Sequence, residues 1–186
     1  GADSAKLTRS IPIDKAWEDA LVVWAFNGEA LRPSNGYPLR LFLPGFEGNT
    51  CIKWLRRIKL MDQPGMTKDE TSKYTDPLSG GKARQFSFLM DAKSLITSPT
   101  TPARIERGWR EISGIAWSGR GKIQRVEVST DGGDSWRAAQ LDGPVLSKAH
   151  TRFRLMWNWD GSATTLRSRA TDDTGQTQPT RAVFEA

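Results

Sequence analysis

The residues with the clearest potential for chemistry are Arg40 and Lys53, which flank a loop that contains two glycines. Each cation lies within a short apolar run, at residues 38–43 and 51–58, and we predict both runs to be β-strands. The glycines of the connecting loop, residues 44–50, allow a backbone to come close to a bound group. Because backbone N–H groups beside fixed cations suit phosphate or another anion, the pattern predicts an anion site. A solvated basic edge strand is the alternative.

The composition limits other reaction chemistries. Cys51 is the only cysteine, so the chain can form no internal disulfide and no cysteine-rich zinc site. His150 is the only histidine, which leaves one position for histidine-dependent catalysis or metal binding. No apolar run approaches the length that crosses a membrane. The sequence starts without Met and without a signal-peptide pattern, which indicates a processed chain or a piece of a longer one. We therefore assign no catalytic residue and no metal ligand.

The overall charge favours an anionic partner without identifying it. The chain has 186 residues and a formal net charge of +6. That charge is compatible with binding nucleic acid, phosphate, a sulfur oxyanion or an acidic protein. Alternatively, the positive charge serves only to keep the protein soluble. Its aromatic side chains alternate as core residues and do not interleave with lysine and arginine on one face, which argues against nucleic-acid binding.

The first elements must bring the two cations into position. Residues 10–20 predict a short helix that Ser10 caps, because apolar side chains recur there at helical spacing. Residues 21–26 predict a buried strand. Asn27-Gly28 predicts a tight hairpin, since both central positions of that turn favour positive φ. The apolar positions of the helix are Ile13, Ala16, Trp17 and Ala20.

The middle of the chain separates two regions of different character. Residues 61–81 are polar and contain two prolines and three glycines. This stretch is too long for a simple connection, so we predict a linker or an extended surface arm. We place the domain boundary within it, which gives domains at residues 1–76 and 77–186.

The second domain has the alternation of an all-β protein. Residues 124–129 and 151–159 alternate most clearly between apolar and polar side chains, and residues 165–171 follow the same rule. Residues 109–117 alternate imperfectly around Gly114, which predicts a bulge. Short strands separated by turn signals are typical of an immunoglobulin-like sandwich.

Several separated motifs resemble the sulfite oxidase family. Residues 27–58 carry Gly-Tyr-Pro-Leu-Arg, Pro-Gly and Ile-Lys-Trp-Leu in the order found at the close of that family's molybdopterin-binding domain. Residues 114–141 and 168–180 resemble its immunoglobulin-like dimerisation domain. Residues 70–99 resemble one branch, the molybdenum subunits of sulfane dehydrogenases. The resemblance implies an α+β fragment of the sulfite-oxidase molybdopterin fold followed by an all-β immunoglobulin-like sandwich.

The resemblance also implies a molybdenum-molybdopterin cofactor and the residues that bind it. In the family, the loop before Lys-Trp-Leu holds the terminal phosphate of the pterin, which gives that role to Cys51, Ile52 and Lys53. Lys53 has the strongest case, since a phosphate dianion needs a nearby cation. Arg40 matches a cofactor-binding arginine.

Two further positions match the family less closely. Asn35 stands where relatives can have a histidine, and Asp3 resembles a pterin-contacting aspartate. In the family, molybdenum is bound by a cysteine thiolate in the first half of the molybdopterin-binding domain. Cys51 lies in the phosphate loop instead. We therefore expect this chain alone to lack the molybdenum ligand and to be inactive without a missing N-terminal half or a second chain.

The function implied by the resemblance is that of a molybdenum-cofactor oxidoreductase, of which this chain is the C-terminal part. Its substrate would be protein-bound sulfane sulfur in thiosulfate oxidation, with electrons passed to a cytochrome c subunit. The resemblance further implies a homodimer through the β-sandwich and a periplasmic location. A sulfite dehydrogenase of the same family is one alternative, and a non-enzymatic immunoglobulin-like dimerisation module is another. We expect no nucleic-acid or membrane partner.

Overall fold

A computed structural model of the chain describes residues 7–100, 103–180 and 183. The chain divides by packing into two compact units, Gly1–Leu89 and Met90–Ala186. We refer to them as the N-terminal and C-terminal units and describe each by itself. The domain boundary predicted after residue 76 stays a prediction.

The N-terminal unit consists of short elements joined by turns. Within the described residues its strands form three separate antiparallel pairs: Leu21–Val23 with Arg40–Phe42, Ala25–Phe26 with Glu29–Ala30, and Thr75–Leu78 with Lys82–Gln85. Three 3-10 turns lie at Pro33–Asn35, Gly48–Thr50 and Ser79–Gly81. The helices and strands are α1 (Ile13–Glu18), β1 (Leu21–Val23), β2 (Ala25–Phe26), β3 (Glu29–Ala30), β4 (Arg40–Phe42), α2 (Lys68–Ser72), β5 (Thr75–Leu78) and β6 (Lys82–Gln85).

The first helix is shorter than predicted and begins differently. Pro12 occupies the N-cap position of α1, so the predicted cap at Ser10 is wrong. The Ser10 hydroxyl instead accepts a hydrogen bond from the N–H of Gly65, 2.9 Å away. Neither helix in the described part of the chain is long and apolar enough to cross a membrane.

The buried side of α1 is formed by a lysine rather than by the predicted apolar face. Lys15 is 5% exposed, whereas Trp17 is 81% exposed. The Lys15 ammonium donates a hydrogen bond to the carbonyl of Pro44 at 2.6 Å and lies 4.6 Å from the centre of the Phe46 ring. The Asp19 carboxylate, 2.5 Å from the same ammonium, balances its charge, and the contacts with Pro44 and Phe46 fix the helix against the loop that follows β4.

The hairpin predicted at Asn27-Gly28 is confirmed, but the strand before it is not continuous. Asn27 and Gly28 have φ values of 52° and 82°, and Phe26 pairs with Glu29 across the turn. The predicted strand at residues 21–26 is split into β1 and β2, and its large side chains are exposed rather than buried.

The C-terminal unit is a sandwich of two antiparallel sheets, which confirms the predicted fold class. The strands are β7 (Lys93–Ser98), β8 (Gly108–Trp117), β9 (Ile123–Ser129), β10 (Arg137–Ala138), β11 (Gln140–Asp142), β12 (Thr151–Trp159) and β13 (Arg167–Asp172). One sheet has the order β10-β9-β13 and the other β11-β12-β8-β7. The buried faces of β9 and β12 meet in one core that includes Val126, Val128, Phe153 and Trp157.

Gly114 has a packing role rather than the predicted bulge. The register between β8 and β12 runs without interruption past Gly114. A Cβ atom at this position would lie 2.4 Å from the Phe153 ring and 2.2 Å from the Leu95 carbonyl oxygen. The register shift occurs in the neighbouring strand β7, between Ile96 and Ser98. Glycine is therefore required because the ring and the adjacent strand occupy the space of a side chain.

Candidate functional site

Arg40 and Lys53 meet at one turn of the N-terminal unit. The Nη1 atom of Arg40 lies 3.4 Å from the carbonyl oxygen of Asn35, and the Lys53 ammonium donates to the carbonyl of Ser34 at 2.8 Å. Both carbonyls belong to the 3-10 turn Pro33–Asn35. The fold thus places Arg40 and Lys53, which lie on separate segments of the chain, beside the carbonyls of two adjacent residues.

The segment that carries Lys53 returns beside β4 without joining a regular ladder. The N–H of Leu41 donates to the carbonyl of Ile52 at 2.9 Å, and the N–H of Leu55 donates to the carbonyl of Leu39 at 2.8 Å. The predicted strand at residues 38–43 is present as the shorter β4. The predicted strand at residues 51–58 is wrong, because these contacts are isolated and irregularly spaced.

A tryptophan in the left-handed region accounts for the break in this segment. Trp54 has a φ of 52°, which no strand residue adopts, and its N–H donates to the carbonyl of Gly36 at 3.3 Å. Gly36 itself has a φ of 110°, and a Cβ atom there would lie 3.0 Å from both Cα and Cβ of Lys53. The glycine permits Lys53 to pack directly against the turn.

The two cations and the backbone beside them are incompletely satisfied. Within the described chain, neither Arg40 nor Lys53 lies within ion-pair distance of a carboxylate, and the buried Nε of Arg40 has no hydrogen-bond partner. The N–H groups of Ile52 and Lys53 likewise find no acceptor among those residues. Donors without a partner in the protein, beside positive charge without a carboxylate, are the chemistry that an anion requires.

Cys51 differs from its two neighbours because its polar groups are already engaged. Its Sγ accepts a hydrogen bond from the N–H of Leu43 at 3.4 Å, and its own N–H donates to the carbonyl of Gly48 at 3.2 Å. The side chain is half-buried and reduced. These contacts close the loop immediately before the N–H groups of Ile52 and Lys53. A cofactor-binding role for Cys51 stays a prediction.

Asn35 and Asp3 are the two remaining residues that the sequence predicted for the site. Asn35 has an exposed side chain and contributes its carbonyl oxygen to Arg40. Asp3 lies outside the described residues. Across the residues described, no three side chains of the metal-binding types come together as a metal site would require.

Sequence reasoning missed a buried ion pair behind the site. Glu70 is 0% exposed, and its Oε2 lies 3.4 Å from Nη1 of Arg9, whose side chain is 1% exposed. Residues 61–81 are therefore not only a linker or surface arm, because α2 packs Glu70 into the N-terminal unit. The pattern Thr67-x-x-Glu70 is a capping-box signature that could have located α2. Thr67 does occupy the N-cap position, although Glu70 turns to Arg9 instead.

Comparison with known families defines the class of protein. The oxidoreductase molybdopterin binding domain matches residues 1–68, and the Mo-co oxidoreductase dimerisation domain matches residues 84–185. The chain therefore belongs to the molybdopterin-dependent oxidoreductase family that includes the sulfite oxidases, and the cofactor of this family is molybdenum-molybdopterin. The fold and the family resemblance read from the sequence are confirmed.

Individual relatives indicate the branch of the family. The sulfane dehydrogenase SoxCD from Paracoccus pantotrophus matches all of this chain with a TM-score of 0.95 and 49% identity, over 48% of the SoxCD chain. Mitochondrial sulfite oxidase from Homo sapiens is 31% identical over 81% of this chain and 29% of its own length. An NADH nitrate reductase from Solanum lycopersicum is 30% identical over 99% of this chain and 24% of its own. The chain thus spans about a quarter of these two curated relatives.

The residues present fit the phosphate end of such a cofactor. Arg40 and Lys53 supply positive charge, and the N–H groups of Ile52 and Lys53 supply donors without acceptors. The chemistry of this donor set is that of an anion anchor and not that of a metal centre.

Proposed function

We propose that this chain is the C-terminal part of a molybdenum-cofactor oxidoreductase that oxidises protein-bound sulfane sulfur and passes the electrons to a cytochrome c subunit. The observation that carries the proposal is the 49% identity and TM-score of 0.95 with a sulfane dehydrogenase over the whole chain. Human sulfite oxidase and tomato nitrate reductase are 31% and 30% identical to it. When bound, the molybdenum group supplies the redox chemistry, and water supplies the oxygen that is added to sulfur.

The chain's own residues would hold the cofactor by its terminal phosphate. Arg40 and Lys53 together can balance a phosphate dianion, and the backbone N–H groups of Ile52 and Lys53 can donate to its oxygens. The positive surroundings would also favour anionic sulfur substrates. This anchoring would fix the orientation of the cofactor.

We propose that further polypeptide of the molybdopterin-binding domain, from a missing N-terminal half or a second chain, covers the exposed apolar side chains of the N-terminal unit. Trp17, Trp24 and Phe26 are 81%, 63% and 65% exposed. Large apolar patches of this kind mark sites of protein contact. The matched dimerisation domain supports a homodimer through the sandwich, which sedimentation of the purified chain tests. A periplasmic location is part of the same proposal.

The test uses the native protein isolated with its partners. We expect molybdenum and pterin in stoichiometric amounts, a further polypeptide or a longer chain by intact mass, and reduction of cytochrome c with protein-bound sulfane as substrate. Molybdenum-containing protein that oxidises free sulfite and leaves protein-bound sulfane unchanged would contradict the proposed substrate.

A sulfite dehydrogenase is the second candidate, because human sulfite oxidase matches 81% of the chain. The same assay separates the two, since a sulfite dehydrogenase reduces cytochrome c with free sulfite. A non-enzymatic dimerisation module would instead form a dimer that contains no molybdenum and does not bind phosphate at residues 51–53.

A further inference from the structure

The Gly48–Thr50 turn, which precedes the anion site in the sequence, is connected by a series of polar contacts to a buried ion pair. Arg9 Nη2 donates to Asn49 Oδ1 at 2.9 Å, and Asn49 Nδ2 donates to Glu47 Oε2 at 2.7 Å. Arg9 also forms an ion pair with Glu70, in which Nη1 and Oε2 lie 3.4 Å apart without a hydrogen bond, and Glu70 Oε1 accepts the N–H of Ser10 at 2.7 Å. We call these contacts the anchor chain. Its members are Glu70, Arg9, Asn49 and Glu47.

The anchor chain ends on a turn with little freedom. Within the Gly48–Thr50 turn, the N–H and hydroxyl of Thr50 both donate to the carbonyl of Glu47, at 2.9 and 2.6 Å. Thr50 is 0% exposed. The N–H of Glu47 donates to the carbonyl of Phe88 at 2.7 Å. Asn49 is therefore the point at which the buried ion pair reaches the turn.

The turn leads directly into the donors of the anion site. Ile52 and Lys53 follow Cys51, whose N–H closes the turn on Gly48. A shift of the turn would displace both unsatisfied N–H groups together. Donors that are fixed before an anion binds lose less conformational freedom on binding.

We propose that Arg9, through Asn49, is a positioning residue for the anion site. The anchor chain holds the turn so that the N–H groups of Ile52 and Lys53 point to one anion. The inference rests on the proposed function of residues 51–53 as the phosphate anchor. Arg9 acts through other residues and does not itself touch the anion.

The test measures binding of inorganic phosphate to the full chain by nuclear magnetic resonance, from the amide shifts of Ile52 and Lys53. Asn49→Ala removes the link and leaves the Arg9–Glu70 pair and the net charge intact. We expect the Kd for phosphate to rise by about fivefold or more, because the Gly48–Thr50 turn is no longer held in position by Asn49 before phosphate binds. Asn158→Ala, on the exposed side of β12, is the matched control and should bind phosphate like the wild type.

A rescue experiment separates positioning from general destabilisation. The double substitution Glu47→Gln with Asn49→Asp exchanges donor and acceptor across the same hydrogen bond and keeps the net charge. The new amide donates to the new carboxylate, which still accepts from Arg9. We expect a phosphate Kd within about twofold of the wild type, since both bonds are restored. If alanine at position 49 prevents folding, Asn49→Ser removes the same contacts with a smaller change.

The outcomes distinguish the two proposals. Phosphate binding by Asn49→Ala with the wild-type Kd would overturn the positioning role while the phosphate anchor stands. A double variant that binds as weakly as Asn49→Ala would overturn it also. A wild-type chain whose Ile52 and Lys53 amides do not respond to phosphate would overturn the anchor itself, and the positioning role with it.

Discussion

Single residues in the anion site are held in place by backbone carbonyls rather than by opposite charges. Lys53 donates to the carbonyl of Ser34, and Arg40 lies beside that of Asn35. A carbonyl orients a cation but does not neutralise it, so the positive field of both side chains remains available to a ligand. Both cations are therefore available to the proposed anion.

The first prediction concerns the charge of Lys53. Lys53→Ala should raise the Kd for inorganic phosphate by about tenfold, because a hydrogen bond to a charged group is lost. Lys53→Arg should retain most of the binding. Amide-shift titration measures the Kd, and Lys59→Ala, which removes an exposed lysine from the same basic stretch, is the control. An equal loss in both alanine variants would show that only net charge attracts phosphate.

The second prediction concerns the close approach of Gly36 to Lys53. Gly36→Ala and Gly28→Ala both place a side chain at positive φ, which costs about 1–2 kcal/mol. Only at Gly36 would the Cβ press on Lys53, at 3.0 Å, whereas Gly28 has open space around it. We expect both variants to lose stability in urea, and only Gly36→Ala to lose phosphate affinity as well. Unchanged affinity in Gly36→Ala would contradict the packing role.

Among the elements, the turn after β13 shows how the sandwich satisfies a buried charge. Asp172 is 0% exposed. Its Oδ2 accepts from the Ser118 hydroxyl at 2.6 Å, and its Oδ1 accepts from the N–H groups of Thr174 and Gln176, each at 3.0 Å. Burial raises the pKa of this carboxyl, but the hydrogen bonds from Ser118, Thr174 and Gln176 outweigh burial and hold the pKa below its ordinary value.

The third prediction follows from the depressed pKa of Asp172. The unfolded chain binds this proton more readily than the folded one does. The stabilisation is therefore complete above the unfolded pKa, about 3.9, and is lost as the pH falls through the lower folded pKa. Asp172→Asn should cost about 1–3 kcal/mol at neutral pH, because its NH2 group cannot accept the hydrogen bond from Ser118 and the negative charge opposite the N–H groups of Thr174 and Gln176 is lost.

Urea unfolding at about pH 7 and at about pH 3 provides the measurement. We expect the difference in stability between wild type and Asp172→Asn to shrink in acid. Asp134→Asn changes an exposed aspartate without a hydrogen bond among the described residues and is the matched control. A difference that stays constant between the two pH values would show that the carboxylate charge is not responsible.

At the scale of the whole molecule, the two units differ in how much of their apolar surface is exposed. Trp157 is 8% exposed in the core of the sandwich, whereas Trp17 on α1 is 81% exposed. Trp109 of the sandwich is also 62% exposed, but most of the large exposed apolar side chains among the described residues belong to the N-terminal unit. This asymmetry agrees with the proposal that further polypeptide of the molybdopterin-binding domain packs against α1 and β1.

The fourth prediction compares these two tryptophans. Trp157→Ala should destabilise the chain by about 3–5 kcal/mol, because it empties a buried site. Trp17→Ala should change stability by about 0.5 kcal/mol or less, because little surface is buried. Urea unfolding measures both. In the native complex, however, Trp17→Ala should weaken the association with the rest of the domain. A complex of undiminished stability would contradict the proposed contact.

Local patterns in the sequence predicted the parts of the fold that depend on local chemistry. Alternation in residues 124–129 and 151–159 gave the buried faces of β9 and β12, since side chains alternate across a strand wherever one face is buried. The positive φ values required by Asn27-Gly28 gave the hairpin. The motifs of residues 27–58 gave the family, because their order and spacing are specific.

Tertiary contacts decided the features that no local pattern contains. Glu70 meets the backbone of Ser10 across 60 positions of the chain, so its polar surroundings in the sequence suggested a surface arm. The apolar spacing in α1 predicted a buried face at Trp17. Lys15 is buried instead, because Asp19, the Pro44 carbonyl and the Phe46 ring contact its ammonium group.

The sequence by itself determined the family and the sandwich, and it singled out Arg40 and Lys53 as the cations of the predicted anion site. Only the tertiary structure showed that Arg40 and Lys53 meet at one turn and that a buried ion pair supports the loop behind them. The physical reason is that periodicity and turn chemistry act between neighbours, whereas burying a charge depends on partners that only the folded chain brings together.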